Sequence, residues 1–220
     1  MNPLNILQDS LYFFRHNLIS IAVLCLPLVV LEALVKQAVG NAVASNASHA
    51  YELVVGLFFY PLYSGALILL LDARTRGEQP RTVDIWAMTL RLWPGFAVLS
   101  AVSTLLIMFG LSLFVLPGLW LMIKLAFSEY LLVLRQRTPM MAMRESMHMT
   151  NGHFLRILLC LLCLYIPLSM IEGIGLYLLP EPQKPGVSLM LDSLGSFLQL
   201  FMGVVMFRLF MLVEGDTRND

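Results

Sequence analysis

Residues 96–134 read FAVLSAVSTLLIMFGLSLFVLPGLWLMIKLAFSEYLLVL. As one straight helix this run would be about 58 Å long, close to twice the hydrocarbon thickness of a bilayer. It must therefore turn back on itself. Gly110 and the pair Pro117-Gly118 supply turn chemistry near its middle. The spacing predicts a transmembrane helical hairpin with almost no loop, its turn falling between Gly110 and Gly118. The only charged residues inside it are Lys124 and Glu129.

The rest of the chain has the same character. Of its 220 residues 59% are hydrophobic and 13% charged, against about 25% charged in soluble domains. Mean hydropathy is +0.80. The formal net charge is zero, so no basic surface points to a nucleic-acid partner. No polar stretch is long enough to fold by itself, and residues 1–220 read as a single integral membrane domain. Cys25, Cys160 and Cys163 all lie in apolar runs. Cys160 and Cys163 have the spacing of a redox or metal pair, but they lack neighbours that favour a thiolate and read as packing residues.

Working outward from the hairpin, five segments precede it. Residues 2–16 place Leu4, Leu7, Leu11 and Phe14 on one helical face, the pattern of a short amphipathic helix in the membrane interface. Residues 18–39 form a first span. At about 22 residues it is too long for the apolar core of a cleaved signal, so a retained span is expected. Residues 40–50 are small and polar and read as a loop. A second span covers about 53–71, with the small cluster Ser64-Gly65-Ala66 allowing close helix approach. Residues 72–91 form a polar loop whose second half, with Ile85, Trp86 and Thr89, suggests another interfacial helix.

After the hairpin, Thr138-Pro139 starts a third short helix, with Thr as N-cap and Pro at N1. A fifth span is expected over about 154–178, a stiff turn over 180–186, and a sixth span over about 188–213. The expected fold class is all-α membrane, a six-transmembrane-helix bundle. It is built as three hairpins over 2–72, 83–135 and 139–213, each preceded by a short interfacial amphipathic helix. A parallel repeat is suggested by Pro27-Leu28-Val29-Val30-Leu31-Glu32 and Pro167-Leu168-Ser169-Met170-Ile171-Glu172.

All eleven arginines precede the first span, follow the second or fourth, or lie near the end of the sixth and beyond. The positive-inside rule then puts both termini of this multi-pass chain in the cytoplasm. Trp93, Trp120 and Tyr177 fall where interfacial aromatics belong.

Charges within a bilayer are costly, so four residues stand out: Glu32, Lys124, Glu129 and Glu172. Glu32 falls at a depth comparable to Lys124, and Glu172 somewhat nearer the outer face. Two readings fit them. One is a structural ion pair that fixes helix packing. The other is a polar site for a proton, an ion or a lipid headgroup. Glu32 is the first-choice partner of Lys124 by depth, and Glu172 the second. Glu129 lies about 140° around the helix from Lys124 and needs another partner, such as an arginine. Lys36 and Asp192 snorkel near the surface. The methionine-rich segment 140–149 has a Met140, Met143, Met147 face and His148, soft ligands for Cu(I). It reads instead as interfacial packing. No catalytic set, nucleotide loop or zinc pair is present in the sequence. Neither enzyme activity, nor a cofactor, nor a metal is expected.

Leu116-Pro117-Gly118-Leu119-Trp120 opens one span, and Ala142-x-x-x-Ser146-x-x-x-Thr150-x-Gly152-x-Phe154 leads into the next. With six hydrophobic segments, these stretches resemble the YciC-like family of bacterial inner-membrane proteins. They are more distantly similar to the membrane domain attached to some glycerophosphodiester phosphodiesterases. The resemblance implies location and helical architecture and carries over no catalytic residue. The first functional expectation is a non-catalytic module that organises membrane lipids or a membrane-protein partner. The alternative is a transporter or lipid translocator using the Glu32, Lys124, Glu172 level. An open cavity at that level would favour the alternative, and a closed bundle the module.

Overall fold

A computed structural model describes residues 3–42, 48–178 and 185–219. The side chains of Glu172, Tyr177 and Asp192 lie outside the described residues, as do Asn46 and residues 180–184 of the expected turn. Every described element is a helix: α1 (Pro3–Ala42), α2 (Ser48–Thr75), α3 (Thr82–Leu113), α4 (Val115–Leu125), α5 (Ser128–Arg135), α6 (Pro139–Met149), α7 (Phe154–Leu178) and α8 (Pro185–Asn219). Among the described residues, four stretches are long and apolar enough to cross a membrane: Asp9–Val39, Leu53–Thr75, Thr82–Leu113 and Val115–Arg135. The chain is an all-α membrane protein.

The expected reversal is present, and its cause is steric. Helix α3 ends at Leu113, and Phe114 alone is extended (φ −161°, ψ 154°). Its N–H donates to the Gly110 carbonyl at 3.1 Å. Pro117 is the third residue of α4, where its missing N–H breaks no helical bond. The returning helix packs directly on α3. A Cβ on Gly110 would lie 2.9 Å from the Gly118 Cα, and one on Gly118 would lie 2.4 Å from Leu111 Cγ. Glycine is needed at both positions because two backbones touch there.

Two expected interfacial helices are absent as separate elements. Residues 3–16 are the first turns of the 40-residue α1, and 83–92 those of the 32-residue α3. No glycine or proline interrupts residues 4–26, so helix propagates straight through. Pro94-Gly95 fails to stop α3, as prolines often fail to do in membrane helices. Of the three expected interfacial helices, only α6 is a separate element. It packs back along α4 and α5, burying Ala142, Ser146 and Thr150 completely.

Helix α2 is central and touches α1, α3, α5 and α8. Its Ala66, Leu67, Ile68 and Leu71 are buried, together with Leu24, Leu99, Leu131 and Phe210 from its neighbours. Tyr130 stacks on Phe210, and its hydroxyl donates to the Gly203 carbonyl at 3.0 Å. Leu105, Phe109, Phe114 and Leu116 are between 65% and 78% exposed. Large apolar side chains on the outside are what a lipid-facing surface requires.

Candidate functional site: a polar cleft between the spans

The four candidate residues separate into two places. Lys124 belongs to the first. Span four is interrupted at Ala126-Phe127, between α4 and α5. Helix α6 supplies what the break leaves unpaired. Ser146 Oγ donates to the Lys124 carbonyl at 2.7 Å and accepts the Phe127 N–H at 3.2 Å. Ser128 Oγ donates to the Leu125 carbonyl at 2.6 Å. Irregular backbone at membrane depth is tolerated where such partners exist.

The Lys124 side chain turns the same way. It is buried, donates to the Asn151 side chain and to the Met147 carbonyl (3.4 Å), and lies 5.8 Å from the Trp120 ring. The expected Lys124–Glu32 pair is therefore corrected. Because α6 folds back against α4, a helix C-terminus, where carbonyls carry partial negative charge, reaches the ammonium. Glu32 is engaged elsewhere. Glu172, the second choice, has its side chain outside the described residues.

The second place is a cleft of about 680 Å³. Glu32 and Lys36 come from α1, Gly56, Tyr60 and Tyr63 from α2, Ser100, Ser103 and Thr104 from α3, Glu129 from α5 and Gln199 from α8. The two carboxylates therefore share one cavity. Glu32 Oε1 pairs with Lys36 Nζ at 2.7 Å, one helical turn away. This ion pair lies against the bare backbone of Gly56, whose added Cβ would meet both groups at 3.8 and 3.9 Å. The Tyr60 hydroxyl straddles the Glu129 carboxylate, 2.9 Å from Oε1 and 2.8 Å from Oε2, and Ser64 Oγ donates to Oε2 at 3.4 Å. The arginine partner expected for Glu129 is thus replaced by two hydroxyls one turn apart on α2.

Three buried oxygens on the residues of this cleft have no hydrogen-bond partner among the described residues: Glu32 Oε2, Ser100 Oγ and Ser103 Oγ. Glu32 and Ser100 are each only 4% exposed. A second cavity of about 280 Å³ adjoins the cleft and shares Tyr60, Tyr63, Ser103, Ile107, Glu129 and Gln199 with it. Its other walls are largely apolar, including Leu67, Met122, Leu161 and Met206.

Sequence reasoning missed the hydroxyls. It weighed charges alone and read Ser64-Gly65-Ala66 as packing. The signal was nevertheless present: Tyr60 and Ser64 lie four apart, and Ser100, Ser103 and Thr104 share one face of α3. Cys25 is buried with its thiol 3.7 Å from the Tyr63 carbonyl, behind the cleft wall.

Comparison with known proteins gives a distant likeness. A UPF0259 membrane protein of Yersinia pestis (strain Pestoides F) is 23% identical over 153 residues, 70% of this chain and 59% of the relative. A UPF0259 membrane protein of Yersinia pseudotuberculosis serotype O:3 (strain YPIII) matches to the same extent. The chain thus spans 59% of the length of these relatives. No protein-family model and no solved structure matches. The likeness and the four apolar helices together support a bacterial membrane protein.

Proposed function

We propose that this chain is a six-span membrane protein that binds a small organic cation in the cleft between α1, α2, α3 and α5 and carries it toward the other side. Helices α7 and α8, of 25 and 35 residues, serve as the fifth and sixth spans in this reading. Both termini face the cytoplasm. The arginine distribution supports that orientation. So do two contacts at the arginine-rich end: Arg74 Nη2 donates to Ser20 Oγ at 3.1 Å, and Arg135 Nη2 pairs with Glu214 at 2.5 Å. Lys36 and Leu53, toward the opposite end, also line the cleft.

The observation that carries the reading is the set of unpartnered oxygens on the cleft residues. A buried polar atom without a partner costs about 1–3 kcal/mol. The chemistry of these oxygens selects the ligand. Two carboxylates, one of them paired with Lys36, and several hydroxyls line the cleft, and such oxygens accept from an ammonium.

Thermal unfolding of the purified protein with methylammonium, ethanolamine and choline tests this. At least one should raise Tm, and Glu32→Gln and Glu129→Gln should abolish the rise. No shift with any cation, or shifts unchanged in both variants, would refute cation binding.

A further inference from the structure

The cleft is not polar throughout, and its apolar side limits what fits. Tyr60, Tyr63, Ser103 and Glu129 line both the acidic cleft and the adjoining cavity of about 280 Å³. Past Glu129 the walls change to Leu67, Met122, Leu161, Met202 and Met206. These come from α2, α4, α7 and α8, so four helices stand back from one another there. A fully hydrated ion gains nothing from such a lining. Methionine is unbranched and polarizable and adapts to chains of varied shape.

We propose that the ligand is an amphipathic amine, with its ammonium at Glu32 and Glu129 and an alkyl chain in the Leu67, Met122, Leu161, Met206 cavity. This rests on the cation-binding reading above and adds the tail. Head and tail sites meet at the Glu129 carboxylate, whose Oε2 is held by Tyr60 and Ser64. Tyr60 also contacts Oε1 at 2.9 Å, so the carboxylate is anchored on α2 while it lines both cavities. The Glu32 oxygen and the Ser100 and Ser103 hydroxyls supply further acceptors on the polar side. An ammonium has three donors to satisfy. The shared chemistry is a primary amine on an aliphatic chain, which a membrane lipid with an amine headgroup or a free alkylamine could each provide.

The test is a chain-length series on the full-length protein in a neutral detergent: methyl-, butyl-, hexyl- and octylammonium, with 1-octanol as uncharged control. Binding is read from the concentration that half-saturates the Tm shift. Affinity should rise about two- to fourfold per added methylene, as tail burial predicts, and 1-octanol should give no saturable shift. Met206→Trp, which fills the apolar cavity, should flatten the chain-length dependence while leaving methylammonium binding intact. If that variant does not fold, Leu161→Phe makes the same measurement with a smaller intrusion. Short amines that bind with no chain-length dependence would overturn the tail and leave the cation site standing. Failure of every amine would remove both. A parallel arm adds phosphatidylethanolamine or phosphatidylcholine to the detergent. Competition with octylammonium by the first and not the second assigns the lipid source, and no competition assigns the free amine.

Discussion

Lys124 and Glu129 are five residues apart in one span, and their surroundings differ in kind. At Lys124 the groups are matched: the ammonium has Asn151 and the Met147 carbonyl, and the chain break beside it is closed by Ser146. At Glu129 the carboxylate is held by Tyr60 and Ser64, yet the residues lining the cleft beside it include Glu32, Ser100 and Ser103, each with a buried oxygen that has no partner among the described residues. Both places hold a costly charge at membrane depth. The difference teaches how to tell their roles apart. A charge whose neighbourhood is saturated serves the fold, and one whose neighbourhood retains unmet hydrogen-bonding capacity serves a ligand.

The largest effect should come from the saturated side. Ser146→Val removes the acceptor of the Phe127 N–H and the donor to the Lys124 carbonyl at a buried break. A loss of about 2–4 kcal/mol is expected, from one orphaned N–H and one lost bond. Unfolding of the reconstituted protein by denaturant measures it, and an unchanged midpoint would mean that α6 does not close the break.

A smaller effect is expected at Lys124 itself. Lys124→Met keeps the side-chain volume and removes the charge, and its partner Asn151 is exposed rather than enclosed by protein. The cost should be about 1 kcal/mol or less, with the cation-induced Tm shift retained in full. Loss of that shift in a folded Lys124→Met protein would erase the distinction between the two places.

Much of the fold was legible because apolar run length and turn chemistry are local. The 96–134 run, Gly110 and Pro117-Gly118 fixed the reversal at Phe114, since no other arrangement fits that length into a bilayer. The interfacial helices were less legible. An amphipathic stretch leading into an apolar one carries no mark of whether the helix is interrupted between them, and around residue 17 nothing interrupts it. The site was half legible. Glu32 and Glu129 were recognisable as costly charges. Their common cavity was not, because residues 32 and 129 meet only through the packing of α1, α2 and α5 against one another. Depth along a span placed Lys124 beside Glu32, but the rotation and contacts of each helix decide partners, and depth does not encode them. Ser146 and Asn151 belong to the stretch quoted for its family resemblance. Their task, pairing with Lys124 and the break, appears only once α6 folds back.

The most direct measurement of the contrast is thiol accessibility. In a background with Cys25, Cys160 and Cys163 replaced by alanine, Thr104→Cys places a thiol on the cleft wall, and Ser146→Cys places one beside Lys124. Each is treated in membranes with a positively charged, impermeant methanethiosulfonate reagent, and modification is read by mass spectrometry. The account predicts that Thr104→Cys is modified, is protected by a bound alkylammonium, and loses reactivity when Glu129→Gln is added, while Ser146→Cys stays unmodified until the protein unfolds. Equal modification of both thiols, or an inert Thr104→Cys beside a reactive Ser146→Cys, would contradict it.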